Sequence, residues 1–397
     1  MELDSLLKRV VEVRATDVHL KIGRPPIVRR DGELMPLEGW DAFGEPDLAS
    51  VLKRVTAHAP ARLKSFEQAG ELDIAYSSPG LPRFRVNGFR QRGAISFAFR
   101  LIPAQVPTFK QLSLPEGVRR LSDEQRGLVL VTGATGSGKT TTLSAMLGHV
   151  NRTRRQHIVT IEDPIEILHT DDRCIVNQRE VGLDTESFGQ ALRRALRQDP
   201  DVILIGELRD AETAMTALQA AESGHLVLST LHTIDAAETL GRLIEFFPAE
   251  KQTQVRSVTA SVLRGVISQR LLPRVGGGRV AAVEVMVNTA RVADLVREGR
   301  TDEITEAIED GDFHHMQSFS QHLVQLVLEG LVEEEVAANA ASNRHDFEIA
   351  VQQALRRKRV EDEAAAQEEA AAAEPAEEAE AEEEENEVRL RLASSDQ

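Results

Sequence analysis

Cysteine is almost missing from these 397 residues, since Cys174 stands alone. One thiol can close no intramolecular disulfide and build no cysteine-cluster zinc site. It reads instead as a small buried apolar side chain. Aromatic residues are scarce as well, with one Trp, one Tyr and 13 Phe making up 4% of the chain. No run reaches the 18 or more apolar residues that span a membrane, and Met1-Glu2-Leu3-Asp4 lacks the basic start and apolar core of a signal peptide. The expectation is a cytoplasmic chain that meets a membrane only through a partner. Net positive charge is lacking too, but the total of −17 misleads. Fifteen Asp/Glu against Arg389 and Arg391 lie in residues 361–397, which leaves about −4 for everything before them. Nothing in this balance supports nucleic-acid binding, which needs a basic face or stripe.

What is present begins with Gly133-Ala134-Thr135-Gly136-Ser137-Gly138-Lys139-Thr140, followed by Thr141. This is a complete phosphate-binding loop. The run Gly127–Thr132 before it reads as a buried strand, and Thr141–Leu147 after it has the apolar spacing of a helix. Glycines at the turn let backbone N–H groups close around a β-phosphate, and the helix N-terminus adds partial positive charge. Lys139 is placed to reach the β/γ-phosphates, and Thr140 offers a hydroxyl to Mg²⁺. ATP with Mg²⁺ is the expected cofactor.

Around that loop the chain changes pattern twice. From Leu3 to about Leu101, alternating runs at 18–22, 72–76, 83–87 and 95–99 read as half-buried strands, with helical stretches near 3–13 and 46–67. Residues 1–100 are thus expected to form a small α+β domain. Residues 101–121, with Pro103, Pro107 and Pro115, read as a linker with a little helix. Strands at 127–132, 157–161, 202–205 and 226–230 then alternate with helices near 140–152, 186–198, 211–223 and 235–245. Such alternation implies an α/β domain with a parallel sheet covered on both faces. From about 252 to 355 the reading is mostly helical. A domain over 122–355 would be followed by an acidic tail over 356–397, whose Ala/Glu stretch at 364–387 has no apolar stripe and reads as solvated.

Ligands collect at the carboxyl ends of parallel strands, and each of the four strands ends in polar residues. Glu162, Asp163 and Glu166 follow the second, Glu207 and Asp210 the third, and His232 the fourth. Phosphoryl transfer needs carboxylates for metal and water, and cations for developing negative charge. Glu162 and Glu207 are therefore the candidate catalytic carboxylates, and position alone does not rank one over the other as the base. Glu166 and Asp210 also fit helix caps. His225 fits either a structural hydrogen bond or a link to the site. Arg83, Arg85, Arg90, Arg92 and Arg100 crowd the end of the first domain, with Arg83 and Arg85 on one strand face.

The phosphate loop, the acidic box Ile161-Glu162-Asp163-Pro164-Ile165-Glu166, the segment Gly206-Glu207-Leu208-Arg209-Asp210 and the histidine box Ser229-Thr230-Leu231-His232-Thr233 stand in one order. In that order and spacing the chain resembles the secretion ATPase superfamily, and within it the PilT/PilU-type ATPases that drive retraction of type IV pili. Asp17-Val18-His19-Leu20, Arg83-Phe84-Arg85-Val86-Asn87 and Met316-Gln317-Ser318-Phe319 extend the likeness over roughly residues 1–340. The resemblance implies a RecA-like P-loop NTPase domain preceded by a PAS-like N-terminal domain. It implies Glu162 as the carboxylate that activates water, Glu207 in the Walker B position holding Mg²⁺ through water, and His232 as a γ-phosphate sensor. Arg209 and arginines of the first domain would reach nucleotide phosphates. It further implies a homo-hexamer, peripheral at the inner membrane, that works on a pilus platform protein and with a paralogous pilus ATPase.

One segment departs from that pattern. Retraction motors of this kind carry a run like Ala-Ile-Arg-Asn-Leu-Ile-Arg-Glu-Gly-Lys, whereas this chain has Ala290-Arg291-Val292-Ala293-Asp294-Leu295-Val296-Arg297-Glu298-Gly299-Arg300. The second half matches and the first does not. A retraction driver and an accessory paralogue or regulatory subunit both remain open at this point. A nucleic-acid-translocating ring fits the charge poorly. A pilus-assembly or type II secretion ATPase would often bring a four-cysteine zinc insertion, which a single cysteine excludes.

Overall fold

A computed structural model describes residues 2–30, 32–102 and 106–360. Pro103 of the expected linker and the acidic segment after residue 360 lie outside these residues, together with the expectations made for them.

Helix α1 (Leu3–Glu12) buries Leu3, Leu6, Leu7 and Val10 on one stripe, the spacing of a helix against a core. Then follow β1 (Asp17–Lys21), β2 (Ile27–Arg30), β3 (Glu33–Pro36), α2 (Glu45–Val55), α3 (Pro60–Ala69), β4 (Glu71–Tyr76), β5 (Phe84–Gln91) and β6 (Ala94–Leu101). The strands form one antiparallel sheet in the order β3-β2-β1-β6-β5-β4. Its inner face carries Phe84, Phe97 and Phe99, with Phe84 and Phe99 edge to face at 6.5 Å. The helical stretch expected over 46–67 is in fact two helices. Pro60 sits in the first turn of α3, where its missing N–H costs nothing, and it cannot continue α2. The β2–β3 hairpin went unanticipated, because four-residue strands are too short to display a period of two.

Helix α4 (Glu116–Ser122) leads into β7 (Gly127–Thr132), α5 (Lys139–Thr153), β8 (His157–Glu162), β9 (Ile175–Glu180), α6 (Phe188–Ala195), β10 (Val202–Ile205), α7 (Ala211–Glu222), β11 (Leu226–Leu231), α8 (Ala236–Glu245), α9 (Ala249–Val262), β12 (Leu263–Pro273) and β13 (Arg279–Val287). They build a seven-stranded sheet in the order β13-β12-β7-β11-β10-β8-β9. From β12 through to β9 its neighbours are parallel. All six residues of β7 are buried, as befits a central strand covered on both faces. Side chains cap the helices on the carboxyl side of the strands. Ser187 caps α6, Asp210 caps α7 and Asp235 caps α8, each accepting a backbone N–H.

The mostly helical reading from 252 onward needs correction, since β12 and β13 lie there. Strand β13 is a nearly continuous apolar run, and β12 breaks its apolar residues with Arg264, Ser268, Gln269 and Arg270 out of alternation, so neither displays the period of two that marks a half-buried strand. The punctuation was the Gly276-Gly277-Gly278 turn, all three at positive φ. Strand β9 was also missed. It is the half-exposed sheet edge and carries a weak apolar signal.

After β13 come α10 (Ala290–Glu298) and α11 (Ile304–Glu309). A second compact unit joins Leu272–Val280 to the chain from Phe319 onward. It contains α12 (Phe319–Leu328), α13 (Glu334–Ala340) and a helix over 344–360, with Leu323, Leu326, Phe347 and Val351 buried. No described helix is long and apolar enough to cross a membrane.

Candidate functional site

The sheet order decides which side chains can meet. At the carboxyl ends the sequence runs phosphate loop after β7, His232 after β11, Glu207 after β10 and Glu162 at the end of β8. Adjacent strands are about 4.8 Å apart, so Glu162 stands about 14 Å across the sheet from the phosphate-loop strand.

Gly133, Gly136 and Gly138 all have positive φ, at 143°, 81° and 92°. At Gly133 a Cβ would lie 2.4 Å from the Gln269 carbonyl oxygen and 2.5 Å from Ser137 Oγ, so no side chain fits. Ala134, Thr135 and Gly136 are exposed at the tip, Ser137 is buried, and Thr140 and Thr141 are half-buried in the first turn of α5. Lys139 is buried, and its Nζ donates to the carbonyls of Gly133 at 2.7 Å and Ala134 at 3.1 Å. Burial pulls its ammonium below the usual lysine range, while the negative charges of Glu207 and Glu166 act in the opposite sense. Two buried polar atoms at the loop, Ser137 Oγ and Gln269 Oε1, have no hydrogen-bond partner among the described residues.

Lys139 Nζ also lies 3.5 Å from His232 Nδ1, and His232 Nε2 lies 3.2 Å from Glu207 Oε2. Glu207 is paired with Arg209 too, whose guanidinium lies over the Phe188 ring at 5.7 Å and is held above its ordinary pKa by the Glu207 hydrogen bond. Lys139, His232, Glu207 and Arg209 therefore form one continuous polar network. Residues 108–364 match the family model described as "Type II/IV secretion system protein".

The chain belongs to that family. Among relatives, the type IV pilus retraction ATPase PilT of Pseudomonas aeruginosa is 45% identical over 87% of this chain and 100% of its own length. PilU of the same organism is 40% identical over 88% and 91%. The twitching motility protein of Neisseria gonorrhoeae is 44% identical over 80% and 84%. A crystal structure of the pilus retraction motor PilT with bound ADP superposes with a TM-score of 0.81 at 42% identity, covering 88% of this chain and 99% of that one. The chain is thus a secretion ATPase of the PilT/PilU type.

In this secretion ATPase Glu162 sits apart from the polar network. Its Oε1 accepts from Thr160 Oγ1 at 2.6 Å and from Gln178 Nε2 at 3.0 Å. Burial pushes its carboxyl above the ordinary range and Glu166 adds to that, although the Thr160 and Gln178 donors oppose both. Asp210 is a helix cap, accepting from Thr213 N at 2.8 Å. Glu166 caps nothing and pairs with Arg85 at 3.3 Å. His225 takes the structural alternative, bonded to the Ala220 carbonyl at 2.9 Å at the amino end of β11, away from the loop.

Of the five crowded arginines, Arg83 and Arg85 share a face as expected and reach the β8–β9 region, at Glu180 and Glu166. Arg100 pairs with Asp17, and Arg90 lies over the Phe66 ring. Sequence reasoning missed Gln178 and Glu180 because β9 was missed, and missed Gln269 because β12 read as helix. Gln269 Nε2 donates to the Ser137 carbonyl at 2.5 Å and so braces the loop from the neighbouring strand.

Proposed function

We propose that this chain is the motor that hydrolyses ATP to ADP and phosphate and uses the work to retract type IV pili. The observation that carries the reading is 45% identity to PilT along that protein's full length, joined to the complete phosphate-loop sequence of residues 133–140. Identity to PilU is lower, at 40%, and this favours driver over accessory paralogue.

The residues fit ATP with Mg²⁺. The cradle at Gly133 excludes a side chain, and the orphaned Ser137 hydroxyl is a spare polar group at the loop. Among the described residues no cluster of three or more His, Cys, Asp or Glu could hold a metal by itself. That suits Mg²⁺, which is bound through phosphates and water with one or two protein oxygens. Thr140 would supply a direct oxygen and Glu207 would hold a metal-bound water. The ion contributes charge neutralisation at the phosphates.

The remaining work falls to the chain's own groups. The backbone N–H groups of 133–141 and Lys139 bind and orient the phosphates, with Arg209 as a further phosphate contact. His232, bridging Lys139 and Glu207, reports what occupies the loop. Glu162 is the better base, because burial raises its carboxyl while Glu207 is ion-paired with Arg209 and hydrogen-bonded to His232. Its position three strands from β7 calls for closure during the cycle. Rocking of an N-terminal domain (1–100) against the ATPase domain (122–355) about the 101–121 linker would supply it. The working form is a homo-hexamer, cytoplasmic and peripheral at the inner membrane, that acts on the pilus platform protein beside a paralogous ATPase.

The test is retraction of fluorescently labelled pili in cells whose only copy carries Glu162→Ala. Retraction should stop. Retraction at the normal rate would make the chain an accessory paralogue or assign it to another filament.

A further inference from the structure

Strand β9 touches both the candidate catalytic carboxylate and the N-terminal sheet. It pairs in parallel with β8 in a register that sets Thr160 beside Gln178 and Glu162 beside Glu180. Residues two apart on a strand share a face, so these four side chains stand together.

Gln178 is fixed by three hydrogen bonds. Its Oε1 accepts the His169 backbone N–H at 2.8 Å, and its Nε2 donates to the Ile167 carbonyl at 2.9 Å and to Glu162 Oε1 at 3.0 Å. The His169 N–H admits only an acceptor, so the amide has one orientation and the NH₂ group must face Glu162. Two residues on, buried Glu180 accepts from Arg83 Nη2 at 2.5 Å and from the Ile165 backbone N–H at 3.3 Å through the same oxygen. Arg83 immediately precedes β5 of the N-terminal sheet, and its side chain is itself only 14% exposed. Arg62 of α3 adds a bond to the Val181 carbonyl at 2.9 Å. Two arginines from the N-terminal region thus grip the end of the strand that orients Glu162.

We propose that Gln178 is a positioning residue for Glu162, and that the Arg83–Glu180 pair ties the strand bearing it to the N-terminal sheet. Movement of that sheet then changes how the Glu162 carboxylate is held. The inference rests on the reading of Glu162 as the carboxylate that activates water. Glu166 is the charged group acting on Glu162, and Thr160 and Gln178 are its side-chain donors. Removing one donor weakens the hold on the charged form.

The experiment is steady-state ATP hydrolysis by the full-length protein carrying Gln178→Met, with Gln178→Glu as a second variant of nearly unchanged shape. Loss of one hydrogen bond to a charged group predicts kcat lower by about ten- to a hundredfold. KM for ATP and the affinity for ADP should stay near parent values, and the acid limb of the kcat profile should move to higher pH. In a Glu162→Gln background, Gln178→Met should lower the residual rate no further. Arg83→Ala should lower kcat, and its effect should not add to that of Gln178→Met. Parent kcat with an unmoved acid limb in both Gln178 variants overturns the inference, as does full additivity of Arg83→Ala with Gln178→Met. Parent turnover in Glu162→Gln would instead overturn the reading of Glu162 itself.

Discussion

Lys139 holds a buried ammonium whose hydrogen bonds go to the loop's own carbonyls, with Glu207 and Glu166 as the neighbouring charges. Lys139→Ala should therefore cut phosphate release by the purified protein about 10²–10³-fold while its circular-dichroism melt shows a folded chain. A folded variant that hydrolyses ATP at the parent rate would rule out this role. Glu162 makes a different prediction, about stability. Burial raises its pKa, so the folded chain binds that proton more tightly than the unfolded chain, whose carboxyl titrates near 4.5. Its contribution to stability is full below that pH and is lost as the pH rises through the folded-state value. Glu162→Gln keeps an acceptor for Thr160 and Gln178 and removes the buried charge. The variant should melt above the parent at pH 8, and the gap should close below pH 4.5. Melting temperatures that coincide at pH 8 would contradict the burial argument.

At the scale of elements, helices and strands differed in how plainly they were written. The four strands β7, β8, β10 and β11 were legible because each is a short apolar run ending in polar residues, and the start of α7 because Asp210 fits a cap and is one. Asp210→Ala removes the bond to Thr213 N and should cost about 1 kcal/mol, read as a lower urea midpoint. An unchanged midpoint would mean the cap contributes nothing to the fold. Strand β12 was illegible because Arg264, Ser268, Gln269 and Arg270 interrupt its apolar residues without alternating, and with it went Gln269, the residue that braces the phosphate loop. The hydrogen bonds of β9 to β8 are long-range, and nothing local marks Gln178 as the partner of Glu162. Pro60 was visible as a breaker and should have divided the stretch at 46–67.

For the whole molecule, charge is the property that bears on partners. With about −4 on the residues before 361, the chain has little to offer a phosphate backbone, whose binding is driven by release of counterions from basic contacts. Adding double-stranded DNA to the purified protein should leave ATP turnover within about twofold of the rate without it; strong stimulation would favour a nucleic-acid translocase. The sequence by itself determined the phosphate loop, the polar strand ends and the α/β alternation. Each of these lies in contiguous residues, where glycine freedom, apolar period and capping act over a few positions. Only the tertiary structure decided that Glu207 and His232 join Lys139, that Glu162 stands two strands beyond His232, and that Arg83 meets Glu180 across 97 positions of chain. The physical reason is that the sheet runs β7-β11-β10-β8-β9 and not in chain order. Which side chains share a site is set by strand pairing between distant segments, and no local pattern encodes it.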